Sequence, residues 1–357
     1  MSKKRRLNII FILIAIGFFS WLIPKIRYVY CSFQKSTNPV QVTVYLSLKN
    51  GPLNVKKISH YLKEKGVLTT TNQFELVGEQ KGMNARNIAA GKYLILPGTT
   101  FANLWDSFSK NSRGSGNAEK KVNVNFSNCR TINEMAGRLQ NQLDMDSLAF
   151  IQYVLNPQVL SNLNVTKEQL PALFIPNKYQ MYWDQTPSEF IEFMSHQYNE
   201  FWNADRRKKL EIIGFTDPSQ AVTLASIVYC EQTRKSAEWP IIAGLYLNRL
   251  KQGIRLQSDP TFKFCWGDEL RGVQRLLYVH RDIDCPYNTY KIKGLPPGPI
   301  FFPPPEVVDA VLNPDQNNYI FMCAKPDHSR THNFTDSGKQ HSKNAKAFQQ
   351  WLAAGQP

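Results

Sequence analysis

The sequence is short of the motifs that mark metal-dependent, redox and nucleotide-binding enzymes. Its six cysteines are widely spaced without a C-x-x-C pair, and no H-E-x-x-H occurs, which argues against zinc and against dithiol redox chemistry. Neither G-x-S-x-G nor a nucleotide-binding glycine motif is present. We therefore expect no cofactor and no metal ion. Cys265 and Cys285 are candidates for a disulfide in an oxidising compartment, although the sequence alone does not establish the pair.

Acidic residues are scarce relative to basic ones, which leaves a formal net charge of +15. None of the usual nucleic-acid-binding motifs accompanies this charge, so nucleic acid is not an expected partner. The basic side chains are suited instead to anionic surfaces such as membranes. A soluble surface with surplus lysines is the alternative interpretation.

The N-terminus combines a basic tip with an apolar run. Residues 3–6 are all Lys or Arg, and residues 7–23 carry no charge. The run is near the short end of a membrane-spanning helix, which needs roughly 17–25 residues. The basic tip favours a cytoplasmic N-terminus with the body outside, and the bulky residues 28–30 offer no small-residue cleavage site. We predict that residues 1–33 form an uncleaved single-pass signal anchor in the inner membrane; a cleaved signal peptide is the alternative.

Hydrophobic periodicity predicts an α+β body with a small first domain over residues 41–111. Val42, Val44 and Leu46 alternate with polar residues as in a strand, and helical spacing follows at 55–62. A second strand is predicted near residues 89–96 and a second helix near 101–110. A polar, Gly/Ser-rich connector at 111–117 marks the domain boundary.

A larger α+β domain is predicted over residues 118–350. Helices are expected at 223–231 and 240–252, because Pro240 suits a first helical turn and Gly253 a helix end. The segment 294–305 is so rich in Pro and Gly that we expect an extended loop there.

One carboxylate in an apolar setting is the strongest chemical feature. Glu231 follows the apolar residues Ala225, Ile227 and Val228. An acid beside apolar side chains is poorly solvated, so its charged form is disfavoured and its pKa rises. Such a carboxyl can donate a proton to a leaving group near neutral pH. A Glu at the exposed end of a core helix, without chemistry, is the alternative.

Motifs around and after Glu231 resemble those of one enzyme family. They read A-S-I-V at 225–228, N-R-L at 248–250, L-Q-S-D-P-T at 256–261, Y-N-T-Y at 287–290 and G-L-P-P-G-P-I at 294–300. In this order they are similar to the endolytic murein transglycosylase family, also called the YceG-like family. Those enzymes cut the glycan strands of bacterial peptidoglycan. The resemblance extends from the N-terminal anchor to about residue 348.

The resemblance implies that Glu231 is the catalytic residue. The family segment reads roughly A-S-I-[IV]-E-x-E, and its second Glu aligns with Glu231. Its first Glu is Tyr229 here, which puts any assisting role of that position in doubt. The resemblance also implies a LysM-like domain at 41–111, and a cleft shaped in part by His332 and His341.

The family's chemistry implies a single acid/base residue. Glu231 would protonate the oxygen that bridges N-acetylmuramic acid (MurNAc) and N-acetylglucosamine (GlcNAc). The resulting carboxylate would accept the proton of the muramoyl C6 hydroxyl, which closes onto C1. The product would be a 1,6-anhydro end that terminates the strand, and no water would be consumed.

Amides, hydroxyls and aromatic faces near Glu231 are suited to sugar rings. The candidate substrate-binding residues are Asn248, Arg249, Gln257, Asp259, Tyr287, Asn288 and Tyr290. Structural roles compete with this interpretation: Asp259 stands in a common turn arrangement, the tyrosines suit a core, and Asn248 and Arg249 suit support of the loop.

Two competing classes remain open from the sequence. One is a muramidase-type hydrolase that uses Glu231 with a second carboxylate such as Asp259. The other is a peptidoglycan-binding scaffold without catalysis that recruits synthases. The expected partners are peptidoglycan glycan strands and the inner membrane, with peptidoglycan synthases as candidate protein partners.

Overall fold

The computed structural model describes residues 3–49, 51–112, 119–270, 273 and 278–355. The chain divides into two compact units. Unit 1 comprises Met1–Val124, Gln142–Asp144 and Gln180–Gln185, and unit 2 comprises Asn125–Asn141, Met145–Tyr179 and Thr186–Pro357. Helices and short two-stranded sheets together confirm the predicted mixture of α and β structure. Most of the predicted connector at 111–117 lies outside the described residues.

Unit 1 begins with a long helix, α1 (Lys3–Ser32). Among the described residues, one segment, Asn8–Ser32, is long and apolar enough to cross a membrane, with 25 residues and a mean hydropathy of 2.3. None of its most apolar window is buried inside the protein. The length and composition of this helix are compatible with a membrane anchor or a signal sequence. Its last turn contributes the buried Cys31 to the core of unit 1.

The remainder of unit 1 is a small α+β arrangement. Its elements in chain order are β1 (Val42–Leu46), α2 (Val55–Glu64), α3 (Asn72–Gln80), β2 (Gly91–Ile95) and α4 (Phe101–Ser107). Strands β1 and β2 are antiparallel, with Val44 opposite the buried Tyr93. The predicted strands and helices correspond to β1, α2, β2 and α4, whereas α3 was not predicted.

The division between the units falls within strands β3 (Val122–Asn125) and β4 (Lys178–Met181). Unit 2 is mainly helical. Its helices are α5 (Ile132–Gln140), α6 (Ser147–Val154), α7 (Pro157–Leu163), α8 (Pro187–Phe201), α9 (Ala204–Ile212), α10 (Pro218–Glu231), α11 (Trp239–Lys251), α12 (Asp259–Trp266), α13 (Tyr278–Arg281), α14 (Pro305–Leu312) and α15 (Gly338–Ala353). Strands β5 (Phe321–Ala324) and β6 (His332–Thr335) form an antiparallel pair.

Helix α10 is the central element of unit 2. A capping box starts it: the Asp217 side chain accepts from the N–H of Ser219, and the Gln220 side chain accepts from the N–H of Asp217. Every residue from Pro218 to Val228 except Gln220 is buried. The helix packs chiefly against α14 and α11. Because α10 is buried on all sides from Ala221 to Val228, its accessible side chains lie at its two ends.

Two predicted features flank α10. Helix α11 confirms the helix expected at 240–252, and Gly253 ends it in the left-handed conformation with φ of 66°. The loop expected from 294 also forms, and α14 begins at Pro305. The N–H of Ile300 in this loop donates to Oγ of Ser226 at 3.0 Å, which fastens the loop to α10.

A disulfide joins Cys265 in α12 to Cys285, with Cα atoms 6.2 Å apart. The sequence had left this pair open. The other four cysteines are free thiols: Cys31, Cys129, Cys230 and Cys323. The bond closes a loop of the chain next to residues 287–290, so it restrains the segment that carries the Y-N-T-Y motif.

The close packing of the loop between Gly294 and Pro305 predicts how a substitution at Gly298 changes the stability of the protein. A Cβ added at Gly298 would lie 1.8 Å from the carbonyl oxygen of Glu168, so Gly298→Ala forces backbone to move. We expect the free energy of unfolding to fall by about 1–3 kcal/mol. Gly137→Ala is the control, because Gly137 lies in α5 with nothing within 4 Å of the added atom. That change should stabilise the protein by about 0.5–1 kcal/mol. Denaturant melts in which both variants behave alike would contradict the close packing.

Candidate active site

Glu231 is the last residue of α10. Residue Gln232 leaves the helix with extended backbone, φ −140° and ψ 93°, so the chain turns away directly after the carboxyl. Val228 is fully buried, whereas Tyr229, Cys230 and Glu231 are partly exposed. The buried helix therefore delivers Glu231 to the edge of the core.

Two hydroxyl groups hold the same oxygen of the Glu231 carboxyl. Oε1 accepts from Oη of Tyr246 on α11 at 2.8 Å and from Oγ of Ser258 at 2.5 Å. Ser258 is itself fixed, because its N–H donates to Oγ1 of Thr289 at 3.0 Å. Within the described part of the chain, Oε2 has no hydrogen-bond partner, and it is not among the buried unpaired atoms. Oε2 is thus the oxygen that can carry and exchange a proton.

The surroundings raise the pKa of Glu231 above that of an ordinary Glu. Burial is the largest cause, since it disfavours the charged form. The hydrogen bonds from Ser258 and Tyr246 act in the opposite direction, because they stabilise a carboxylate. The charge of Asp259 raises the pKa further, and His332 lowers it. The net effect is a carboxyl that stays protonated to higher pH, as the sequence predicted.

Glu231 borders a cavity of about 460 Å³. Four of the predicted substrate-binding residues line the same cavity: Arg249, Gln257, Asp259 and Tyr290. His332 and His341, which were expected to shape the cleft, also line it. The cavity therefore gathers side chains from α11, α12, β6 and α15 around one carboxyl.

Arg249 and Gln257 form one wall. The buried guanidinium of Arg249 donates to Oε1 of Gln257 at 2.6 Å, to the carbonyl of Ile320 at 2.6 Å and to that of Arg255 at 3.0 Å. Gln257 is exposed and has a φ of 54°, the left-handed region that few non-glycine residues adopt. Arg249 thus holds the side-chain oxygen of Gln257, and within the described residues the NH₂ group of this amide has no hydrogen-bond partner.

Asp259 and Tyr290 form another wall. Oη of Tyr290 donates to Oδ1 of Asp259 at 2.6 Å, and the guanidinium of Arg281 lies 5.1 Å from the centre of the Tyr290 ring. Burial and the Asp259 carboxylate raise the pKa of Tyr290, so its hydroxyl remains a donor. One oxygen of Asp259 is consequently occupied by a neighbour inside the site.

The other three predicted substrate-binding residues do not line this cavity. Asn248 donates to the carbonyl oxygens of Asn317 at 2.8 Å and Tyr319 at 3.1 Å. The Tyr287 ring packs against Phe264 with centres 4.8 Å apart.

Asn288 is fully buried, and the segment around it consumes its amide. Its NH₂ group donates to the carbonyls of Arg281 at 2.8 Å and Ile283 at 2.9 Å, and its Oδ1 accepts from the N–H of Tyr290 at 3.1 Å. This geometry favours a role in shaping the loop that presents Tyr290.

Tyr229 stands where the family pattern has its first Glu. Its ring packs 5.1 Å from Phe301 and 6.3 Å from Trp239, and it borders a separate cavity of about 360 Å³. Tyr229 does not line the cavity of Glu231. The first Glu of the family pattern is thus replaced by an aromatic side chain that packs in a cluster.

Sequence reasoning missed three participants: Tyr246, Ser258 as a partner of Glu231, and Glu238. Ser258 stood inside a recognised motif, but nothing in the sequence signalled the other two. The side chains of Glu238 and His332 pair at 2.8 Å. Burial alone would raise the pKa of Glu238, yet donors from His332 and Gln232 outweigh it and lower the pKa. Within the described ranges, no three His, Cys, Asp or Glu side chains converge in a way that could hold a metal ion.

Comparison with known proteins identifies the family. The model of the YceG-like family matches residues 50–347, so the chain belongs to the YceG-like family. It is 26% identical over 322 residues to the endolytic murein transglycosylase of Bacillus subtilis (strain 168), which covers 85% of this chain and 84% of that protein. The endolytic murein transglycosylase of Streptococcus pneumoniae serotype 2 is 21% identical over 82% of this chain, but only 56% of the streptococcal protein is matched.

A solved structure supports the fold. The crystal structure of a YceG-like protein from Listeria monocytogenes matches with a TM-score of 0.55 at 21% identity. The match covers 86% of this chain and 99% of the other. This likeness shows a shared fold.

Opposite pKa shifts at Glu231 and Glu238 predict opposite effects on stability. Folding raises the pKa of Glu231, so its charge destabilises the native state once the pH exceeds the unfolded-state pKa. Glu231→Gln should therefore raise the melting temperature at about pH 7.5, and the gain should vanish toward about pH 4.

Folding lowers the pKa of Glu238, so its charge stabilises the native state above the unfolded-state pKa. Glu238→Gln should lower the melting temperature at about pH 7.5, with a loss that shrinks as the pH falls through the lowered pKa. Thermal melts of both variants across pH check the pair of signs. Shifts of the same sign at neutral pH would be inconsistent with these environments.

Proposed function

We propose that this chain is an endolytic peptidoglycan transglycosylase that cleaves the bond between MurNAc and GlcNAc within glycan strands. The observation that carries the proposal is the carboxyl of Glu231, which has a raised pKa and borders a cavity lined by polar side chains. Membership of the YceG-like family and the names of the Bacillus and Streptococcus relatives support the same activity.

In the first step, Glu231 acts as a general acid. Its Oε2 donates a proton to the bridging glycosidic oxygen while the bond to C1 breaks. The substrate's own C2 acetamido group stabilises the positive charge that develops at C1. Tyr246 and Ser258 hold Oε1, so the charge that forms on the carboxylate finds two hydroxyl donors already in place.

In the second step, Glu231 acts as a general base. The carboxylate accepts the proton of the muramoyl C6 hydroxyl while that oxygen bonds to C1. The products are a 1,6-anhydroMurNAc end and a GlcNAc with a free hydroxyl, and Glu231 is protonated again. The cycle needs one titrating group and no water.

A muramidase is the runner-up, because Asp259 lies in the same cavity. Hydrolases of that type use a second carboxylate as a nucleophile or base. The hydrogen bond from Tyr290 engages Oδ1, one of the two carboxylate oxygens of Asp259. This favours a role for Asp259 in orienting the substrate instead. A carboxyl kept protonatable in a cavity also favours catalysis over a scaffold without activity.

The walls of the cavity suggest how a strand is held. Gln257 and Asp259 offer an amide and a carboxylate to sugar hydroxyls and acetamido groups. Arg249 and Tyr290 fix those two side chains and border the cavity themselves. Asn248, Tyr287 and Asn288 would then influence binding indirectly, through the loops they hold.

The proposal extends to the location of the protein. We propose that residues 1–33 anchor it in the inner membrane with the body outside the cytoplasm, where the Cys265–Cys285 disulfide is favoured. Residues 41–111 would be a LysM-like domain, which two helices between paired strands support, and residues 118–350 the catalytic domain. Peptidoglycan synthases are the proposed protein partners, since strand cleavage would terminate the elongation that synthases carry out.

The first test is removal of the proton. Glu231→Gln keeps the shape of the side chain but cannot exchange a proton, so cleavage of purified glycan strands should fall by about 10²- to 10⁴-fold. Glu306→Gln is the matched control, because Glu306 is an exposed carboxylate on α14 that does not line the cavity. Cleavage by Glu231→Gln within a few-fold of wild type would remove Glu231 from the mechanism.

The second test concerns topology. A reporter enzyme that works only outside the cytoplasm should be active when it is fused after Pro357, and one that works only in the cytoplasm should be inactive. The reason is that residues 3–6 favour a cytoplasmic N-terminus. Residues 1–33 should remain on the mature protein. N-terminal sequencing of the purified chain that starts beyond residue 30 would show a cleaved signal peptide instead.

A further inference from the structure

A buried carboxylate that the proposed mechanism does not use stands behind the cavity wall. Glu238 is 7% exposed and lies at the end of the 3₁₀ turn Ser236–Glu238. Its Oε1 accepts from the N–H of His332 at 2.7 Å, and its Oε2 accepts from Nδ1 of His332 at 2.8 Å and from Nε2 of Gln232 at 2.8 Å. Three donors satisfy this carboxylate, so it is held in one position.

Glu238 fixes the ring of His332 through its Nδ1 atom. The carboxylate only accepts, so Nδ1 of His332 carries hydrogen and the remaining ring nitrogen is Nε2. The described residues provide no hydrogen-bond partner for Nε2, and it is not among the buried unpaired atoms. His332 lines the cavity together with Glu231. Nε2 is therefore an open polar atom on the wall of the cavity.

Hydrogen bonds also connect the pair of Glu238 and His332 to Gln232, the residue after Glu231. Gln232 follows Glu231 directly, and its amide donates to both Glu238 and the carbonyl of Arg330 at 3.0 Å. The backbone carbonyl of Gln232 accepts from Nε1 of Trp239 at 2.7 Å. The end of α10, the 3₁₀ turn and the start of β6 thus form one hydrogen-bonded frame.

We propose that His332 binds the glycan strand through Nε2, which hydrogen-bonds a hydroxyl or acetamido group of a sugar in the cavity of Glu231, and that Glu238 is the positioning residue that sets its orientation and tautomer. This inference rests on the proposed function, because it assigns a binding role within the same cavity. It adds a contact that is independent of Gln257 and Asp259, since those two side chains have other partners.

Two substitutions that introduce an amide side chain distinguish the roles of the two ring nitrogens of His332. Asn has its amide near the position of Nδ1, so His332→Asn keeps a donor for Glu238 and loses the atom that faces the cavity. Gln reaches the position of Nε2, so His332→Gln keeps a polar group in the cavity and loses the bond to Glu238. A binding role and a purely structural role therefore predict opposite rankings.

The experiment measures affinity apart from cleavage. Full-length Glu231→Gln protein in detergent is titrated calorimetrically with short, peptide-free strands of alternating MurNAc and GlcNAc. Adding His332→Asn should weaken binding by about 3- to 10-fold, the size of one lost hydrogen bond, with an unchanged melting temperature. Adding His332→Gln should lower the melting temperature and cost less affinity. Equal affinity with and without His332→Asn would overturn the role of His332 while leaving the transglycosylase function intact. Strands that bind neither Glu231→Gln nor the double variant would overturn both the role of His332 and the proposed function.

The role of Glu238 is tested through His332. If Glu238 acts by positioning the ring, Glu238→Gln should weaken strand binding when His332 is present and add little when His332→Asn is already in place. Nitrogen NMR of labelled histidine should also report hydrogen on Nδ1 of His332 in the parent protein and a change in tautomer in Glu238→Gln. An equal loss of affinity in both backgrounds, or an unchanged ring spectrum, would contradict a positioning role.

Discussion

The partial burial of one carboxyl, that of Glu231, is the constraint on which the rest of unit 2 depends. An uncompensated buried charge costs several kcal/mol, so a buried Glu remains ionisable only where fixed dipoles receive it. Tyr246 and Ser258 provide those dipoles at a single oxygen, and the other oxygen stays open. Burial raises the pKa of Glu231, and the two hydroxyl donors act against that rise because they stabilise the carboxylate. A group that gives and then takes back a proton must be stable in both protonation states.

The architecture of unit 2 follows from the need to hold this balance. Helix α10 is almost wholly buried and therefore rigid, and its last residue is Glu231. Helix α11 contributes Tyr246 and Arg249, and the Cys265–Cys285 disulfide restrains the segment that carries Tyr290. His332, which Glu238 holds by a hydrogen bond, lines the same cavity. Gln257, Asp259 and His332 are thus each held by a neighbouring side chain, namely Arg249, Tyr290 and Glu238.

Local signals in the sequence predicted several of the elements and the raised pKa of Glu231. The alternation of Val42, Val44 and Leu46 predicted β1, and the Pro240 and Gly253 pair bounded α11, because turn and cap chemistry acts over a few residues. The apolar residues before Glu231 predicted a raised pKa, because they lie on the same buried helix. Arg249, Gln257, Asp259 and Tyr290 were all expected near the substrate and do line one cavity.

What the sequence could not supply was the meeting of side chains from separate elements. Tyr246 reaches Glu231 only because α11 packs on α10, and no spacing encodes that contact. Asn288 has the chemistry of a sugar ligand, yet its amide is consumed by carbonyls of its own loop. Helix α3 lacked a strong apolar pattern and was missed for that reason.

The central claim is that Glu231 catalyses an intramolecular transfer and not a hydrolysis. Mass spectrometry of the fragments that the full-length protein releases from purified glycan strands tests it most directly. The account predicts 1,6-anhydroMurNAc ends, each lighter by one water than a reducing end, and none of these products from Glu231→Gln. Reducing MurNAc ends released by the wild-type protein would contradict it and would assign Asp259 or water a part in the chemistry.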